Sequence, residues 1–245
     1  MTTDPTDPTD PTDPTDPTDP TAPPAPGRPA PRTARGARTR SRLLQAAEDV
    51  FAEVGYPDAS IVRITEEAGV ALGTFYVHFA GKKEVFDEVV RDLNHRVRTA
   101  MTAATADAPS RLEAERAGFS AFFRFTAQHP ALYRIIRQAE FVSPEAMKDH
   151  YTSILTGYEQ ALTRAKDEGQ IAGLDPTVAA WVLMGAGELI GMRWVLWEQQ
   201  APAAYPDGIP PAVFEGLMDI IARLLGGPGE TATDLADATP RSHPS

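Results

Sequence analysis

The chain has 245 residues, 34 acidic and 23 basic side chains, a formal net charge of -11, no cysteine and 42% hydrophobic residues. That length holds one or two domains with a real core, and the missing cysteines exclude disulfides, thiol nucleophiles and cysteine-based metal sites. No apolar run reaches the roughly 18 residues of a bilayer span and the N-terminus has no apolar signal segment, so a cytoplasmic protein away from membranes is expected.

An acidic total argues against a nucleic-acid partner, because a polyanion rewards Lys and Arg. The charges are segregated, however. Residues 1–30 carry six Asp and one Arg, whereas residues 31–42 carry five Arg and no acid: Arg32, Arg35, Arg38, Arg40 and Arg42. Residues 3–20 are six Thr-Asp-Pro units. Proline at every third position forbids helix and central strand, so residues 1–36 read as a disordered repeat tail and a basic arm. The tail is either a solubilising extension or an acidic segment that competes with DNA for the arm.

The first helix is expected over Ala37 to Val54. Leu43, Leu44, Ala47, Val50, Phe51 and Val54 form its apolar stripe, and Gly55 and Pro57 end it. Ser60 is placed to cap a second helix, its hydroxyl accepting an orphan amide proton. Ile61, Ile64 and Ala68 recur at helical spacing up to Gly69. A third short helix runs over Leu72 to His78, and a fourth over Lys82 to about Ala104. Two helices joined by a short glycine-containing turn are a helix-turn-helix candidate, whose second helix would enter the DNA major groove. Further helices are expected over about 110–126, 130–141, 144–168, 176–200 and 211–225. Pro130, Pro144 and Pro176 fall at first-turn positions, and Ser143 is placed to cap the helix that Pro144 opens. Residues 201–210 form a loop, and residues 227–245 read as a flexible C-terminal tail. The chain is therefore all-α.

Ile61 and Ile64, Ala68-Gly69-Val70, Gly73-Thr74-Phe75-Tyr76, Phe79, Lys82 and Val85-Phe86, with Phe51 and Gly55 ahead of them, resemble the TetR family of bacterial transcriptional regulators. The resemblance covers roughly residues 38–90. It implies an N-terminal three-helix helix-turn-helix DNA-binding domain (37–83), followed by a helical effector-binding and dimerisation domain (84–226). It implies that Gly69 is the turn glycine and that Val70, Phe75 and Phe79 are core. Tyr76 and Lys82 would reach backbone phosphates, and Thr74 and Val77 would face bases. Four positions depart from the family's usual residues. Ala71 loses a capping hydroxyl, Leu72 replaces a polar residue, and Arg63 and Lys83 add positive charge. The expected DNA-binding set is therefore Arg38, Arg40, Arg42, Ser60, Arg63, Ala71, Leu72, Thr74, Tyr76, Val77, Lys82 and Lys83. Methyl groups on Leu72, Thr74 and Val77 would pack on thymines, while the arginine arm enters an adjacent minor groove.

The family resemblance also implies a homodimer on a palindromic double-stranded operator. The dimer surface is expected on the last two helices. The first carries the small residues Ala179, Ala180, Gly185, Ala186, Gly187 and Gly191 with Trp181, Trp194 and Trp197. The last carries Val213, Leu217, Ile220, Ile221 and Leu224. An effector pocket is expected among Phe122, Tyr133, Arg137, Phe141, Tyr151, Leu155, Trp181 and Glu188. Glu188 sits inside an apolar run, so it is either paired, with Arg193 or another helix, or meets a ligand. Aromatic density with Arg134, Arg137 and Glu140 suits a small apolar or amphipathic effector, fatty acyl-like in character. Such a ligand would release a repressor from its operator by population shift.

No cofactor, metal site or enzymatic activity is expected. The five histidines, His78, His95, His129, His150 and His243, show no metal-ligand spacing, and no Gly-rich phosphate loop occurs. The competing reading is a helical scaffold or interaction protein without DNA binding.

Overall fold

The computed structural model describes residues 33–171, 173–197, 205 and 208–226, and every regular element among them is helical. The Thr-Asp-Pro repeat, Arg32, the C-terminal tail and most of the expected 201–210 loop lie outside the described residues.

Helix α1 (Ala34–Asp58) begins one turn earlier than the periodicity indicates, because the Thr33 hydroxyl accepts from Gly36 N at 3.1 Å. Leu43, Ala47, Val50 and Phe51 form its buried stripe. The helix breaks at Gly55 (φ 79, ψ 163), a left-handed conformation open to glycine. Helix α2 (Ile61–Ala68) starts on Ser60, whose hydroxyl accepts from Arg63 N at 3.1 Å. It stops at Gly69, which caps it with φ 61. Helix α3 (Leu72–His78) lacks a side-chain cap at Ala71. Helix α4 (Lys82–Thr105) runs on from this head into the body.

The body comprises α5 (Arg111–Gln128), α6 (Ala131–Val142), α7 (Pro144–Asp167), α8 (Pro176–Gly191) and α9 (Pro211–Leu224). Beyond Gly191 the α8 chain continues as a π-helical turn, Met192–Trp197, so the α-helix ends well short of 200. Ser110 and Asp175 cap α5 and α8. Ser143 does not cap α7; its hydroxyl accepts from Lys83 Nζ at 3.1 Å instead.

Two apolar clusters hold the chain together. One joins the stripes of α1, α2 and α3 to Val85, Phe86, Val89, Val90, Leu93 and Val97 of α4 and to Ile135, Ile136 and Ala139 of α6. The other gathers Phe119, Phe123, Leu162, Leu183, Leu217 and Ile221 from α5, α7, α8 and α9. Packing is continuous from the head into α6 because α4 presents its apolar face to both.

Two expectations about α8 are corrected. Pro176–Trp197 is, by length and composition, apolar enough to cross a membrane, with mean hydropathy 1.3 over its best window. Glu188 and Arg193 interrupt the run without making its average polar. Length and composition alone do not distinguish such a span from a core helix, and here Ala179, Ala180, Leu183 and Gly187 are buried against the rest of the subunit. Second, four of the small residues serve packing within the subunit rather than a second copy. A methyl group at Gly187 would sit 3.0 Å from the Phe119 ring, and one at Gly191 would overlap the Tyr133 hydroxyl. Ala179 and Ala180 are buried in the same cluster. What α8 leaves exposed is large: Val178, Trp181, Val182, Leu189 and, in the π-turn, Trp197.

Gly55→Ala should destabilise the chain by about 1–3 kcal/mol, the cost of a left-handed non-glycine residue. Denaturant unfolding checks it, with a lower midpoint at unchanged slope expected.

Candidate functional site

The outward side of α3 is built from the inside. Phe75 and Phe79 are fully buried, with ring centroids 5.5 Å apart, and anchor the helix in the apolar cluster it shares with α1, α2 and α4. Other residues of α3 are turned out. Val77 is 67% exposed, Tyr76 46% and Leu72 45%; Thr74 is half-buried. A short helix with a rigid aromatic keel and an exposed face of Leu72, Tyr76 and Val77 is what groove insertion requires.

The expected cations are a different matter. Lys82, read as a phosphate ligand, donates its ammonium to Tyr56 O (2.9 Å), Ala59 O (2.8 Å) and Pro57 O (3.4 Å), and lies over the Tyr56 ring. These carbonyls are orphaned by the break at Gly55, so Lys82 ties the end of α1 to α4. Lys83 turns toward the body, to Asp87 (3.0 Å) and Ser143. Arg42 donates to the carbonyls of Ala68 and Gly69, closing the C-terminus of α2. Arg40 pairs with Glu88 at 2.7 Å and stacks on Phe79. Arg63 pairs with Glu53 at 2.9 Å in an exposed setting. Ser60 is occupied as the α2 cap. Arg38 is exposed on the first turns of α1. Sequence reasoning assigned charge to a phosphate-facing surface; the fold uses most of it to satisfy carbonyls and carboxylates nearer by.

A cavity of about 410 Å³ lies in the body, walled by α4, α5, α6, α7 and α8. Of the eight residues expected there, Phe122, Tyr133, Tyr151 and Glu188 line it. Four do not. Phe141 is 84% exposed at the end of α6, and Trp181 is 54% exposed on the outer face of α8. Leu155 is buried in the second apolar cluster. Arg137 is exposed and reaches Met192 Sδ at 3.8 Å. The periodicity identified apolar helices but not which of their faces met a void.

Glu188 is paired with a residue of another helix, one of the expected alternatives: Tyr151 of α7 donates to its Oε1 at 2.8 Å. Burial first, then the Glu188 charge, pushes the Tyr151 phenol well above its usual value. At the other end of the cavity is a group the sequence reading missed. Glu115 is buried, accepts from Tyr158 and faces Arg111 at 3.0 Å. Burial raises the Glu115 carboxyl despite the Arg111 charge. The four-residue spacing of Arg111 and Glu115 on one helix was the available signal. Arg98 and Arg164 also border the cavity. Among the described residues there is no cluster of three or more His, Asp and Glu fit for a metal.

His150 is the third cavity polar group. Burial holds its imidazole down at about 4, from an ordinary 6.5. The folded chain therefore binds fewer protons than the unfolded chain between these values, so stability falls as pH drops through that window. His150→Leu should flatten this part of the dependence, read as the thermal midpoint against pH between about 6.5 and about 4. Lys82→Met should lower stability by about 1–2 kcal/mol because three carbonyls lose a charged donor. A surface phosphate ligand would leave the unfolding midpoint unchanged.

The model of the tetR family of bacterial regulatory proteins matches residues 43–89, the segment from the α1 stripe to α4. An uncharacterised HTH-type transcriptional regulator of Bacillus subtilis, YdgC, is 37% identical over 65 residues, 26% of this chain and 33% of that protein. The chain spans from a third to about half the length of the first curated relatives it matches. Over the body the likeness is one of fold. The fatty acid degradation regulator FadR from Bacillus halodurans superposes with a TM-score of 0.66 at 21% identity, over 79% of this chain and 97% of that one. FadR from Bacillus subtilis in complex with stearoyl-CoA does so with 0.64 at 22%, over 77% and 99%. The family match thus lies on the helix-turn-helix segment, residues 43–89, and over the remaining helices the likeness to these regulators is one of fold.

Proposed function

We propose that the chain is a ligand-responsive, sequence-specific DNA-binding regulator of transcription, acting in the cytoplasm as a homodimer on a palindromic operator. The observation that carries this is α3, an exposed Leu72–Tyr76–Val77 face on a buried Phe75–Phe79 keel within the family-matched segment. Such a face reads bases by apolar and hydroxyl contacts, with thymine methyls as natural partners of Leu72, Thr74 and Val77. In this reading Tyr76, and the exposed Arg38 of the arm, serve the phosphate backbone. Two heads are needed for a palindrome, and the exposed apolar side of α8 with Ile220 and Leu224 of α9 is the surface for a second copy.

The cavity is the effector site in this reading. Its wall of Phe119, Phe122, Leu132, Ile136, Leu183 and Met184 suits an apolar chain, and Arg98, Arg111 and Arg164 suit an acidic head group. The likeness to a regulator solved with stearoyl-CoA supports an amphipathic acyl compound as the class. Ligand between α4, α6 and α7 would shift the head through α4 and release DNA, a repressor's behaviour, by its differential affinity for the two states.

The test is selection of genomic fragments on the full chain, followed by gel retardation with the enriched duplex. A palindromic duplex should be enriched. Tyr76→Ala combined with Val77→Asp should weaken its retention at least about tenfold, the scale of one or two lost base or phosphate contacts, while both exposed substitutions leave the thermal midpoint in place. Enrichment of no duplex would leave the scaffold reading standing instead.

A further inference from the structure

Most of the cavity wall is apolar, but polar side chains meet where α6, α7 and α8 converge. Tyr151 donates to Glu188 Oε1 at 2.8 Å. The Glu188 charge also acts on the Tyr133 phenol, so that ring stands close to the same carboxylate. The His150 ring lies edge-on to Tyr151, with centroids 5.2 Å apart. All four residues line the cavity. His150 Nδ1 is buried with no hydrogen-bond partner, and the buried Tyr133 hydroxyl has only the Thr126 hydroxyl beside it. Thr126, beside Tyr133, gives its own proton to Phe123 O at 3.1 Å. A buried polar atom left unmet costs about 1–3 kcal/mol, and natural interiors keep few of them. Gly191 adds a second sign of construction, since any side chain there would displace the Tyr133 hydroxyl.

We propose that this nook is a specificity subsite for an uncharged hydroxyl group carried on the apolar part of the effector. The argument is one of matching donors to acceptors, and it rests on the amphipathic-effector reading given above. Glu188 can only accept, Tyr133 can donate or accept, and a neutral imidazole does one of each. A hydroxyl both donates and accepts, so it can serve a carboxylate or ring nitrogen and a phenol together. A ketone only accepts and leaves Glu188 without a donor. A carboxylate meets the Glu188 charge, burial keeps His150 neutral at ordinary pH, and Arg137, whose charge reaches Tyr151, stands exposed and does not line the cavity. The arginines that welcome an acidic head lie elsewhere on the wall, with Arg111 held at Glu115. The cavity thus has a cationic pole for a head group and a neutral hydrogen-bonding pole for an oxygen further along the chain.

The experiment is calorimetric titration of the full-length protein with hexadecanoic acid, its positional monohydroxy isomers, the matching dicarboxylic acid and the matching amino acids. At least one hydroxy isomer should bind about tenfold tighter than hexadecanoic acid, the gain of one or two buried hydrogen bonds. The gain should peak at particular carbons, because the nook is fixed. In His150→Leu and in Tyr133→Phe the ratio of the two affinities should fall toward one; Tyr133→Phe keeps the ring and its packing. Hexadecanoic acid that binds with no isomer gaining on it overturns the subsite alone. So does a larger gain for the dicarboxylic or amino compounds, or a gain that survives both variants. Failure of every acid to bind overturns the acyl-effector reading and the subsite with it.

Discussion

The rest of the molecule depends on how the break at Gly55 is closed. A helix that stops in its middle leaves amides and carbonyls without partners, and burying them unpaired is costly. Here they are satisfied by two other helices. Gln138 of α6 accepts from Tyr56 N at 2.6 Å and donates to Phe51 O at 3.3 Å, bridging the gap. Arg134, one turn earlier, donates to Ala52 O at 3.2 Å. Lys82, the first residue of α4, takes the carbonyls on the far side of the break. One local backbone defect therefore pins α1 to α4 and α6 at once. Both of those helices also form the wall of the cavity. A ligand that moves either one must strain or rearrange hydrogen bonds at the base of the head, which gives coupling a physical route rather than a line on a contact map.

Much of the fold was legible because short-range chemistry set it. Ser60 is a cap, Gly55 and Gly69 are stops, and the stripes of α1 and α4 are buried as their spacing indicates. The keel of α3 was legible through the family pattern, since Phe75 and Phe79 carry it. What was not legible was anything decided by a partner distant in sequence. Lys82 finds carbonyls 23–26 positions back, Lys83 a hydroxyl 60 positions on, and neither separation leaves a periodic trace.

The cavity shows the same limit from another side. An aromatic count placed Phe141 and Trp181 in it, yet both face outward, and only tertiary packing tells an inner aromatic from an outer one. Glycines were ambiguous for a related reason. Gly187 and Gly191 permit close approach, but by Phe119 and Tyr133 of the same chain, not by a second subunit. A small residue states that something comes near without stating what.

The pairing of the head's cations has a consequence for ionic strength. Salt dependence of binding to a polyanion counts the counterions displaced, and so the phosphates newly neutralised. Arg40, Arg42, Arg63, Lys82 and Lys83 already have intramolecular partners. On the proposed operator a head of this kind would contribute little to that count, and its grip would come from surface fit, which salt screens far less. The steep salt response of an arginine-rich sequence would thereby be shifted to the first turns of α1, where Arg35 and Arg38 stand exposed.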